Sequence, residues 1–123
     1  MKKSLPKDYA LQYLGKIVSI QIDRPIHSKH PKHNFIYELN YGFIPNTLAP
    51  DGEEIDAYLI GIDEPIETFT GKCIAVIHRL NDEDDKLIII PKSSDNIPDG
   101  IIRALTNFQE QFFQSKIIRE NTL

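Results

Sequence analysis

Asp51, Glu53 and Asp56 place three carboxylates within six residues, just after a Pro/Gly turn and just before the apolar run Ala57-Tyr-Leu-Ile-Gly-Ile62. A carboxylate cluster entering a buried strand is costly, because like charges repel and desolvation penalises each one. A hard divalent cation removes that cost, since Mg²⁺ takes oxygen ligands and offsets their charge. The same groups suit phosphoryl transfer, in which metals neutralise phosphate oxygens and one carboxylate activates water. On these residues alone, a solvated acidic turn at a strand end is an equally good reading. An EF-hand loop is disfavoured, because the Asp-x-Asp-x-Asp-Gly order and the distant Glu are missing.

A second acidic run, Asn81-Asp82-Glu83-Asp84-Asp85-Lys86, also stands directly before a β-branched segment. Alone it is an ordinary hairpin loop. Two such clusters at matching strand edges of a small barrel can meet at one mouth, where Lys86 offers a cation to an anionic substrate. Strand alternation sends Glu54, Asp56 and Tyr58 one way and packs Ile55, Ala57 and Leu59 inward. Asp51 and Glu53 fall in the preceding turn, where Gly52 permits a tight approach of backbone to an ion. The loop at 27–33 spaces His27, His30 and His33 three apart, with Lys29 and Lys32 among them. It reads as anion contact by the lysines or as a plain solvated loop, and only weakly as a transition-metal site.

The elements that must position these groups are short. Residues 8–15 suit a brief helix stopped by Gly15, although Tyr9, Leu11 and Tyr13 also alternate. A strand from Ile17 carries Val18, Ile20 and Ile22 on one face. Extended pieces at 35–37 and 41–44 follow, then strands over 56–62, 72–79 and 86–91. Asp99 is the expected N-cap of a helix whose stripe is Ile101, Leu105, Phe108 and Phe112. The pattern predicts an α+β, mainly β fold: a small, strongly bent five-stranded OB-like barrel with a C-terminal helix and room for a short N-terminal one, in a single domain over 1–123.

Composition excludes several classes. At 41% hydrophobic and 26% charged residues the chain is globular rather than disordered. A net charge of −4 offers no basic field for nucleic acid. The single cysteine, Cys73, fits a reducing compartment and begins an apolar run, as a small buried hydrophobe does. No stretch nears the roughly 18 apolar residues of a membrane span. The expected setting is soluble and cytoplasmic, and a homo-oligomer is compatible with it.

The segment Asn40-Tyr41-Gly-Phe-Ile-Pro…Asp51-Gly-Glu-Glu-Ile-Asp56 resembles the signature of soluble family I inorganic pyrophosphatases, and Glu83-Asp84-x-Lys86 resembles that family's second motif. The likeness covers about residues 17–116. It implies an OB-like barrel and Mg²⁺-dependent hydrolysis of diphosphate, with Mn²⁺ as an alternative ion. It further implies that Asp51, Asp56 and Asp84 hold the first metal, that Asp56 bridges to a second, and that a water between the metals attacks. Glu53 takes the place of the base, Tyr41 and Lys86 hold phosphate oxygens, and Tyr37 lies near the leaving phosphate.

This sequence also departs from the family pattern. Glu53-Glu54 replace Asp-Pro, Gln21 replaces a glutamate, Asn81 replaces a metal-ligating aspartate, and Phe112-Phe113 replace a phosphate-binding Tyr-Lys pair. Lys29 and Lys32, with Arg24 before them, are the candidate replacements for missing cations. Other readings are hydrolysis of another small phosphoanhydride, an inactive barrel binding phosphate-like ligands or a protein partner, and, more remotely, a single-strand nucleic-acid barrel.

Overall fold

The computed structural model describes residues 9–82 and 84–120; Glu83, and Asp8 at the head of the expected first helix, lie outside the described residues. That helix is a single 3₁₀ turn, Leu11–Tyr13. The strands are β1 (Ile17–Arg24), β2 (Asn40–Ile44), β3 (Ile55–Leu59), β4 (Thr68–Arg79), β5 (Lys86–Ile90) and β6 (Ser115–Ile118), with α1 (Asp99–Glu110) before the last. They lie in the order β1-β2-β3-β5-β4, and β4 pairs back onto β1, which closes five strands into an OB-like barrel. Among the described residues only β3 and β5 pair in parallel. β4 achieves the closure by its length: Thr68–Lys72 pair with β1, Lys72–Ile77 pair with β5 across a bulge between Cys73 and Ala75, and Val76–Arg79 pair with β6.

Alternation explains how two cores share the same strands. Val18, Ile20 and Ile22 of β1 join Ile55, Ala57 and Leu59 of β3 and Leu87 and Ile89 of β5 inside the barrel, with Cys73 buried among them. Tyr58, Ile88 and Ile90 point the other way, into a second cluster with Tyr37, Tyr41, Ile102 and Phe108. A strand buried on both faces must read as a continuous apolar run, and Leu87-Ile-Ile-Ile90 does. Each such isoleucine taken from water stabilises the fold by about 1.5–3 kcal/mol. Gly42 pairs with Ile22, and a side chain there would run into the Gln21 carbonyl oxygen, so β2 can approach β1 only without a Cβ.

The C-terminal segment differs from its expected form. Pro98 is the N-cap, and Asp99 sits in the first turn, where its charge still complements the helix dipole. The buried face is Ile102, Thr106, Phe108, Gln109 and Glu110, whereas Ile101 and Phe112 are more than half exposed. The stripe is rotated by one residue because buried polar partners, described below, claim Gln109 and Glu110. The helix ends at Glu110, so Phe112 and Phe113 follow it in a turn. The piece at 35–37 forms only an isolated bridge, Lys29 to Ile36, and β6 was not foreseen.

Candidate active site

Asp56 on β3 and Lys86 on β5 are direct partners in the parallel pair. The register alone therefore brings the two acidic runs together. The Lys86 ammonium, almost fully buried, donates to Asp56 Oδ2 at 2.6 Å and to Asp84 Oδ2 at 2.6 Å. Asp84 Oδ1 is buried and has no hydrogen-bond partner among the described residues. Burial raises the pKa of Asp56 above its ordinary value, against the opposing pull of Lys86. Burial, then the charges of Asp56 and Asp84, hold Tyr41 protonated far above the usual phenol range. The Lys86 ammonium also lies 5.5 Å from the centre of the Tyr41 ring.

Arg79, at the end of β4, is the second fixed cation here. Its Nε and Nη2 donate to Glu110 Oε1 and Oε2 at 3.0 and 2.8 Å, a two-pronged contact that fixes the guanidinium plane. Phe113 covers it at 3.6 Å from the ring centre. Nη1 points toward Asp82 and Asp84 at 3.6 and 4.0 Å. Burial pulls its pKa down, but the Glu110 carboxylate more than offsets this, so the cation is permanent. The Tyr58 hydroxyl donates to Glu110 Oε2 at 2.6 Å, Gln109 donates to the Tyr58 oxygen at 2.7 Å, and the Tyr37 hydroxyl donates to Gln109 at 3.1 Å. This buried chain docks α1 on the barrel and ends at Arg79.

Asp56, Asp84, Lys86, Tyr41 and Tyr37, all expected site residues, line one cavity of about 620 Å³ together with Arg79. Four expected residues are not in its lining. Asp51 and Glu53 are exposed in a turn that holds itself: Asp51 Oδ1 accepts the Glu53 N–H at 2.9 Å, Gly52 takes a positive φ of 87°, and Ala49 N–H donates to the Glu53 carbonyl at 2.8 Å. Asn81 is exposed, and Lys29 lines a separate hollow beside Phe35 and Phe108. Arg79, Gln109 and Glu110 were missed from sequence. A signal existed for the helical pair alone: Ile102, Thr106, Gln109 and Glu110 share one helical face, and polar groups on a face with a buried isoleucine need partners.

The donor chemistry suits a hard divalent cation. Two carboxylates converge on one ammonium, and a buried carboxylate oxygen lacks a partner, a situation that costs free energy unless a cation or donor arrives. Among the described residues no three His, Cys, Asp or Glu side chains gather closely enough to hold an ion by themselves. No helix is long and apolar enough to cross a membrane, among the described residues.

The family model described as inorganic pyrophosphatase matches residues 12–119. An inorganic pyrophosphatase of Methanosarcina mazei is 31% identical over 110 residues, covering 76% of this chain and 60% of its own length. One from Streptomyces coelicolor is 41% identical over 68 residues, covering 50% of this chain and 40% of its own. The chain thus spans roughly half the length of these relatives. The crystal structure of inorganic pyrophosphatase from Ehrlichia chaffeensis has the same fold, with a TM-score of 0.62 at 19% identity over 98% of this chain and 90% of that one. That from Helicobacter pylori gives 0.61 at 19% identity, over 99% and 92%.

Proposed function

Because the chain belongs to the inorganic pyrophosphatase family, we propose that it hydrolyses diphosphate to two phosphates in a reaction that needs a divalent cation, Mg²⁺ first and Mn²⁺ second. The observation that carries this reading is the convergence of Asp56 and Asp84 on Lys86, with the unpartnered Asp84 Oδ1 beside them. Asp56 and Asp84 would hold the cation, and Asp51 is the third carboxylate proposed for it. Bound there, the ion supplies Lewis acidity toward phosphate oxygens and water.

The chain's own groups divide the remaining work. Lys86 and Arg79 present positive charge to an anion entering the cavity, and Tyr41 supplies a hydroxyl that stays protonated. Tyr37 lines the same cavity with its hydroxyl donating to Gln109, and is proposed to lie near the leaving phosphate. Glu53 is proposed as the group that takes the proton from the attacking water. One more methylene than aspartate displaces that carboxylate by about 1 Å, a shift that can cost on the order of 100-fold in rate. Lys29 adds positive charge outside the cavity, and Asn81 is proposed as a weak outer ligand through its neutral amide oxygen. The free cysteine and acidic charge support a cytoplasmic setting without nucleic-acid partners.

Phosphate release from diphosphate, with Mg²⁺, with Mn²⁺ and with a chelator, tests the reading. Cation-dependent release is the expected outcome. No release at any concentration of either ion would leave a binding barrel in its place.

A further inference from the structure

The cavity holds more than a diphosphate needs. Beyond Tyr41 and Tyr37 its wall continues in rings: Tyr37 lies 5.4 Å from Tyr41 and 5.6 Å from Phe35, ring centre to ring centre, and His33, Phe35 and Phe112 all line the cavity. Their planes are nearly parallel, with His33 to Phe35 at 6° and 6.2 Å between centres, Phe35 to Phe112 at 27° and 6.1 Å, and His33 to Phe112 at 26° and 6.4 Å. Phe112 is 61% exposed, unusual for a phenylalanine beside other rings. Parallel rings with an exposed member form a platform on which a flat ligand can stack and so remove apolar surface from water. Arg24 and Lys32 stand in the same lining and add positive charge to it. The cavity is therefore bipolar: cations and carboxylates that suit an anhydride at one end, flat apolar faces at the other.

We propose that this cavity accepts a phosphoanhydride bearing a planar ring, of the nucleoside polyphosphate class, with its base on the platform of His33, Phe35 and Phe112 and its phosphates toward Lys86 and Arg79. The proposal rests on the hydrolase reading above for the fate of the phosphates, but not for the seat of the base. A ligand of this kind bridges both ends of the cavity, whereas inorganic diphosphate engages one. Every base has a π-face, so the platform selects for the presence of a base rather than for its identity.

The test uses the full chain and two probes that contain no anhydride bond and so are not consumed. Adenosine monophosphate and ribose 5-phosphate differ only by the base. Calorimetry with Mg²⁺ present is expected to give at least about tenfold tighter binding of adenosine monophosphate, within the range that base–aromatic stacking supplies. Phe112→Ala, on an exposed turn residue, is expected to bring the ratio within about threefold by removing one face of the platform. Equal affinities in the wild type, or a ratio that survives Phe112→Ala and a second variant, His33→Ala, would overturn the proposal. Phosphate release from diphosphate is scored separately: its presence with equal probe affinities removes the platform alone, and its absence with a tenfold ratio removes the hydrolase reading alone.

Discussion

The turn at 51–54 and the run at 82–86 are both acidic and both precede a strand, yet they meet opposite surroundings. Asp51 and Glu53 stand in solvent, and the hydrogen bonds that order them are internal to their own turn. Asp84 and Asp85 are drawn into the protein. Lys86 receives Asp84, the His78 ring lies 2.9 Å from Asp85 Oδ1, and the Asp85 N–H donates to the Tyr9 hydroxyl at 2.8 Å. Burial still raises the pKa of Asp85, so the pairing offsets desolvation only in part. A carboxylate enters a protein when a fixed cation or donor faces it, and composition along the chain does not reveal that partner. The barrel register supplies it, by setting Asp56 opposite Lys86.

The largest effect is expected at the junction of the two runs. Asp56→Asn should lower diphosphate turnover by more than about 100-fold, beyond what loss of a merely supporting group costs a metal site. The fold should survive, because the change removes a charge that burial penalises. Near-normal turnover with an unchanged circular dichroism spectrum would take Asp56 out of the chemistry.

Next comes the cation that the sequence hid. Arg79→Met leaves Glu110 buried without its charge partner, and should cost about 3–5 kcal/mol in urea unfolding. A loss below about 1 kcal/mol, the range of exposed pairs, would mean that the clamp is solvated.

These two residues mark what was legible in the chain and what was not. β1 announced itself, because Val18, Ile20 and Ile22 alternate with polar neighbours on a strand with one outer face. Asp56 and Lys86 could be picked out because charge at the head of an apolar run is costly and therefore informative. Arg79 was hidden because it follows β4's apolar run, where a charged residue ordinarily marks the exit to solvent. Glu110 was hidden because Phe108 and Phe112 suggested a neighbouring stripe, and only the positions of Tyr58 and Arg79 in space decide which face turns inward. The four residues of β6 carry no alternation contrast, and pairing with β4 rather than local pattern makes them a strand.

The exposed turn gives a smaller and separable effect. Glu53→Gln should depress the rate by about 100-fold, the low end for loss of a general base, while the Mg²⁺ midpoint of activity stays in place. If the midpoint moves as far as it does for Asp51→Asn, Glu53 is a ligand and the two turns divide their labour differently.

The smallest effect is a pH dependence. A folded-state pKa raised above the ordinary 3.8 means that Asp56 favours the fold while protonated; this contribution is present below 3.8 and lost as pH rises through the raised value. In the proposed site Mg²⁺ would compete with that proton. The rise in Tm on adding Mg²⁺ should therefore shrink as pH falls from about 7 toward about 4, and a rise that is constant over this range would place the ion away from Asp56.

The position of the cation is central to the proposed chemistry. Calorimetric titration of Mg²⁺ into the wild-type chain and into Asp84→Asn, side by side, addresses this without turnover. Binding in the wild type that weakens by at least about tenfold in Asp84→Asn is the predicted result, since the variant alters a cavity-lining carboxylate whose Oδ2 accepts from Lys86 and whose buried Oδ1 has no partner among the described residues. Equal affinity in the two proteins would contradict it.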